Sequence, residues 1–122
     1  MDADGVVASA LEVLEIAEVG PLLASGDHPF SDGELAFARA RADPERRLAA
    51  RLAAKRAAVR LLGGDVSSAD VEVSRRPGAP PRLRLSPRAQ ERLRALGADA
   101  TLVSLTHERR HAAAVVLLLR SR

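Results

Sequence analysis

Apolar positions fall into blocks separated by polar turns, and their spacing changes along the chain. Residues 5–14 (Gly5-Val6-Val7-Ala8-Ser9-Ala10-Leu11-Glu12-Val13-Leu14) are rich in Val and Leu and predict a first strand. Residues 15–24 continue as a short helix up to Gly26. Ser31-Asp32-Gly33-Glu34 has capping-box spacing: the serine oxygen accepts the amide three residues on, and the glutamate reaches back. A helix is expected from there to about residue 42. The next helix is marked at both ends. Asp43 stands at its cap, Pro44 suits a first turn whose amide lacks a helical partner, and Gly63-Gly64 ends it. Its apolar stripe is Leu48, Leu52, Val59 and Leu62, with Lys55 in the middle. Arg51 lies on one flank of that stripe, and Arg56 and Arg60 lie on the other.

Beyond Gly64 the period shortens. Val71-Glu72-Val73-Ser74 and Arg82-Leu83-Arg84-Leu85 alternate like strands, joined as a hairpin by Pro77-Gly78-Ala79-Pro80-Pro81. Ser86-Pro87 caps a short helix ending near Gly97, with Ala89, Leu93 and Leu96 inward. Thr101–Thr106 and Ala112–Leu119 are two further strands around the polar turn Glu108-Arg109-Arg110. Helices first and hairpins later predict an α+β domain, with helices packed on an antiparallel sheet.

Composition narrows the picture. The 122 residues suit one domain spanning 1–122. Apolar residues are 47% and aromatics only 2%, so the core is Leu, Val and Ala. With no cysteine, disulfides and thiolate metal sites are excluded. The start, Met1-Asp2-Ala3-Asp4, is acidic and unlike a secretory leader. The longest apolar run, Ala112–Leu119, is too short to span a membrane. The expected location is the cytoplasm. Net charge is +3, a mild excess that permits nucleic acid, phosphates or an acidic protein as partner without choosing among them. Lys55 is the only lysine among 19 basic residues, which marks a position where an ammonium is needed.

Four segments, in order, resemble the holo-acyl-carrier-protein synthases, small trimeric 4′-phosphopantetheinyl transferases. Glu12-Val13-Leu14-Glu15-Ile16 is similar to the family's Asp-Ile-x-Glu-Ile, and Phe30-Ser31-Asp32-Gly33-Glu34 to its Phe-Thr-x-x-Glu. Leu48-Ala49-Ala50-Arg51-Leu52-Ala53-Ala54-Lys55-Arg56-Ala57 is similar to Leu-Ala-Gly-Arg-Phe-Ala-Ala-Lys-Glu-Ala. Val103-Ser104-Leu105-Thr106-His107 and Ala112-Ala113-Ala114-Val115-Val116 are similar to Val-Ser-Ile-Ser/Thr-His and Ala-Ala-Ala-x-Val. Each segment alone is weak. Their order and intervals, from about Gly5 to Leu119, make the match specific.

The resemblance implies the 4′-phosphopantetheinyl transferase fold and a homotrimer with active sites between subunits. It implies transfer of phosphopantetheine from coenzyme A to a serine of an acyl carrier protein, in fatty-acid or polyketide assembly, with release of 3′,5′-adenosine bisphosphate. It implies Mg²⁺, with a carboxylate ligand at Glu12. Lys55, His107 and the position of Arg56 are the implied catalytic set. Arg51, Lys55, Arg60, Gly63, Pro80, Thr106 and His107 are the implied coenzyme A set.

One departure is severe. Arg56 stands where the family has a metal-binding glutamate, and a guanidinium has five donors and no lone pair for a cation. Either Arg56 pairs with Glu12 and takes over the cation's role on the pyrophosphate, or another carboxylate such as Glu15 holds a shifted metal. Glu12 for aspartate, Ala50 for glycine and Leu52 for an aromatic are milder changes. The competing function is therefore a pseudoenzyme that binds carrier protein or coenzyme A without transfer. A nucleic-acid-binding domain is disfavoured, because stacking aromatics are lacking. Simpler readings stand beside these. Lys55 could snorkel to water. Arg47 reads as a solvated helix edge, Glu34 as a cap, Gly78 and Pro80 as turn residues, and His28 and His111 as surface residues.

Overall fold

The computed structural model describes residues 5–121; the acidic Met1–Asp4 segment lies outside them. The chain runs β1 (Gly5–Glu15), a 3-10 turn (Ile16–Glu18), α1 (Val19–Ser25), α2 (Asp32–Arg39) and α3 (Pro44–Leu62). A second 3-10 turn (Ser68–Asp70) leads to β2 (Val71–Ser74), β3 (Arg82–Leu85), α4 (Pro87–Ala95), β4 (Ala100–His107) and β5 (His111–Arg120). The strands form two antiparallel sheets: a three-stranded one in the order β1-β5-β4, and the β2-β3 hairpin. The expected α+β class and all five strands are present, though the sheet is divided in two.

Helix α3 organises the core. Its first turn holds Pro44 and Glu45 and its last turn Arg60, arrangements that suit the unpaired amides and the dipole. Gly63, at φ 64°, closes the helix in a conformation that few other residues adopt. Ala49, Ala53 and Ala57 are fully buried, and the helix packs on β5 and β1. On the sheet the facing positions are Ala10, Ala112, Ala114 and Val116. Small side chains on both surfaces let helix and sheet approach closely, and Phe30 is the one aromatic among the buried core residues described.

Three local readings need correction. Helix α2 ends at Arg39 rather than near residue 42. Asp43 occupies the cap position of α3, but its side chain accepts no capping bond and instead lies 3.6 Å from Arg46. Leu96 was expected inward with Ala89 and Leu93, yet it is 37% exposed because α4 has already ended at Ala95.

Candidate functional site

The longest helix brings the residues singled out in the sequence to three places. At the first, Arg51 meets Thr106 and His107 from the end of β4. They line a cavity of about 240 Å³ together with Arg47, Ala50, Arg75 and Leu105. Arg51 is only 2% exposed, and its Nε and Nη2 have no hydrogen-bond partner. Its guanidinium lies over the Phe37 ring, 3.9 Å from the centroid, and a π face attracts the cation without accepting its in-plane N–H bonds. Burial pulls the Arg51 pKa down to about 10; Glu34 opposes this, while Arg75, Arg47 and Arg41 add to it. The Nε of Arg47 is likewise buried and unpartnered. Buried donors without acceptors are costly. A concave group of cations with idle donors is complementary to an anion of phosphate size. His107 is also held below its usual pKa, first by burial and then by Arg47 and Arg46, so it is neutral near pH 7 and adds a hydrogen-bonding group rather than a further charge.

Two arginines of this pocket, Arg47 and Arg75, were not among the expected site residues. Arg47 had been read as a solvated edge, although its position one helical turn before Arg51 was a usable signal. Arg75 follows β2 and has no local signal; tertiary folding alone brings the hairpin to α3.

The second place is the buried pair of Lys55 and Glu34. Both are at most 1% exposed, with Lys55 Nζ donating to Glu34 Oε1 at 2.7 Å. Glu34 also accepts the Ser31 amide at 2.8 Å and the Val73 amide at 2.7 Å. The carboxylate is therefore more than the cap of α2: it joins α2, α3 and β2. The Lys55 ammonium does not snorkel to water; it is committed to Glu34.

The third place lies on the opposite flank of α3. Arg60 pairs with Glu12 and also donates to the Leu11 carbonyl at 3.0 Å. Arg56 is 3.4 Å from Glu18, not paired with Glu12 as one sequence reading had it. These pairs are partly exposed and of little energetic weight, so either guanidinium is available to a stronger anion. Gly63 lies at the C-terminal end of α3, and Pro80 lines a groove of about 840 Å³ along the β2-β3 hairpin. Arg75 lines both this groove and the Arg51 pocket.

Comparison with known proteins shows the family of the chain. No protein-family model matches the chain. The holo-[acyl-carrier-protein] synthase of Thermus thermophilus is 42% identical over 118 residues, covering 93% of each chain. The chain belongs to the holo-[acyl-carrier-protein] synthase family. The Mycobacterium tuberculosis acyl carrier protein synthase structure superposes with a TM-score of 0.73 at 31% identity, over 93% of this chain and 97% of that one. The Helicobacter pylori holo-[acyl-carrier-protein] synthase, solved in complex with coenzyme A, shares the fold with a TM-score of 0.76 at 20% identity, over 91% of this chain and 99% of that one.

The magnesium that the family resemblance implies does not fit the residues present. The Glu12 carboxylate is engaged by Arg60, and Glu18 is engaged by Arg56 and by the Glu15 amide. Among the described residues no group of three or more His, Cys, Asp or Glu is placed to hold a metal. Two arginines one turn apart add a local positive potential that opposes a divalent cation.

Proposed function

We propose that this chain moves 4′-phosphopantetheine from coenzyme A to a serine hydroxyl of an acyl carrier protein. In the transfer the serine oxygen bonds to the phosphorus that bears pantetheine, the pyrophosphate P–O bond breaks, and 3′,5′-adenosine bisphosphate leaves with the electron pair. The serine proton passes to solvent or to a neighbouring base.

The observation that supports this reading is the Arg51 pocket, found in a member of this family. Arg51, Arg47 and Arg75 supply charge-assisted donors, and Thr106 and His107 supply neutral hydrogen bonds. Together they would hold a phosphate group of coenzyme A. The hairpin groove with Pro80 continues from that pocket and would take the rest of the nucleotide. Arg56 and Arg60 lie on the opposite flank of α3, so they would meet, in place of a metal, the pyrophosphate of a coenzyme A held by the Arg51 pocket of a neighbouring subunit. Lys55 would act by fixing α3 against α2, since its ammonium is already paired. The decisive experiment is the intact mass of apo carrier proteins incubated with this protein and coenzyme A. Gain of one phosphopantetheine supports transfer. Retention of coenzyme A with no gain supports the second reading, binding without transfer, which the arginine-blocked carboxylates favour.

The pairing of Arg56 with Glu18 leads to a prediction. Arg56→Glu places a third carboxylate near Glu12 and Glu18 and is expected to create a divalent-ion site. Calorimetric titration should show Mg²⁺ binding to the variant and none to the unmodified protein. Loss of transfer by the unmodified protein on adding a chelator would refute this.

The homotrimer is proposed from the outer face of the β1-β5-β4 sheet. Leu11 and Leu102 are 59% and 57% exposed, and Val13 and Val115 lie beside them. The register sets Leu11 opposite Val115 and Leu102 opposite Leu117, giving one continuous apolar surface. Val115→Arg is expected to shift the mass measured by light scattering from trimer to monomer; an unchanged mass would place the interface elsewhere. No helix among the described residues is long and apolar enough to cross a membrane, and the cytoplasm is the proposed location.

A further inference from the structure

The chain has two phenylalanines and neither tyrosine nor tryptophan. Phe30 is a core residue, 6% exposed. Phe37, in the last turn of α2, is only half-buried. Two guanidinium groups lie over its ring: Arg51 at 3.9 Å and Arg41 at 4.4 Å from the centroid. Groups of that size so close to one centroid occupy opposite faces, so the ring is held between them. Arg41 follows α2 and is exposed, whereas Arg51 is buried on α3. The ring thus links the end of α2 to the anion pocket, although Phe37 itself does not line the cavity.

The kind of partner decides what an arginine has left to offer. Arg56 and Arg60 direct donors to the carboxylates of Glu18 and Glu12. Arg51 is served differently. Glu34, the acid whose field it feels, is already bound to Lys55. The bond from Arg51 Nη1 to the Arg47 carbonyl is long, at 3.4 Å. The Phe37 ring attracts the cation through its negative face and has no lone pair to occupy a donor. Nε and Nη2 accordingly stay without a partner. A long side chain also loses rotamer freedom when a ligand fixes it, and one already held against a ring loses less.

We infer that Phe37 is a positioning residue for anion binding: it holds the Arg51 guanidinium against its ring and leaves the in-plane donors for a phosphate group. This rests on the reading of the Arg51 pocket as a coenzyme A phosphate site, and it adds a residue that acts only through Arg51. A residue that merely packed α2 on α3 could be replaced by any apolar side chain of similar bulk. A positioning ring could be replaced only by another ring.

The test is calorimetric titration of 3′,5′-adenosine bisphosphate into the unmodified chain, F37M, F37W, R51M and F37M/R51M, with the melting temperature of each. F37M keeps apolar bulk and removes the ring. It is expected to weaken the nucleotide about three- to thirtyfold, the range spanned by cation–π contacts from exposed to desolvated sites. In the R51M background the same change should have no further effect. F37W keeps a π face and should retain the affinity of the unmodified chain. Its indole would be the chain's only one, so its emission should change on nucleotide addition with the calorimetric midpoint. Unchanged affinity in F37M, or an equal loss with and without Arg51, would overturn the inference while leaving the pocket reading intact. Absence of nucleotide binding by the unmodified chain would overturn both. Should F37M fail to fold, F37W carries the test: emission unmoved by nucleotide that calorimetry shows to be bound overturns the inference.

Discussion

Replacing Arg51 with methionine is expected to weaken 3′,5′-adenosine bisphosphate binding by about thirty- to a thousandfold. The change keeps most of the stem and deletes a buried cation whose Nε and Nη2 have no partner in the protein. Losing a charge-assisted contact in a desolvated site costs about 2–4 kcal/mol, and each 1.4 kcal/mol is about tenfold in affinity. Stability should respond differently. The folded protein already bears the burden of desolvating Arg51, visible in its lowered pKa of about 10, with little hydrogen bonding in return. The ligand-free variant should therefore melt within a few degrees of the unmodified protein, or above it. A large drop in melting temperature with nucleotide affinity unchanged would make Arg51 a structural residue and remove the main support for the pocket.

Replacing Lys55 with methionine should have the opposite signature. Glu34 would stay buried with its charge uncompensated, and breaking a buried pair by removing one partner costs about 3–5 kcal/mol. For a domain of this size that lowers the melting temperature by roughly 10–20 °C. The double variant K55M/E34Q removes both charges and leaves an amide whose single oxygen can meet one of the Ser31 and Val73 amides. It should recover part of the loss, and the double-mutant cycle measures the coupling. An unchanged melting temperature in K55M, together with abolished transfer, would instead return Lys55 to the substrate-binding set.

These two residues illustrate how far the sequence could be read. Both were visible as exceptions to a pattern, Lys55 as the sole lysine on an apolar stripe and Arg51 as a basic residue on its flank. Their partners were not visible. Glu34 is 21 positions from Lys55 and had its own local explanation as a cap, which it also fulfils. Arg75 reaches Arg51 only because the β2-β3 hairpin folds against α3. Arg56 stood out as a departure, but its partner is Glu18 rather than Glu12. Glu12 and Glu18 are both within reach of the same face of α3, and only the path of β1 into its 3-10 turn sets Arg60 on the former and Arg56 on the latter.

By itself the sequence determined the order and type of the elements, the α+β class, the Ala-rich helix at the centre and the family. Periodicity, caps and turn residues act over a few positions and are written locally. The tertiary structure decided which ionisable groups are buried, which are paired and which are left with idle donors. Those properties depend on electrostatics and solvent exclusion between segments distant in the chain, and the same arginine can be a solvated edge or an anion site according to what packs beside it.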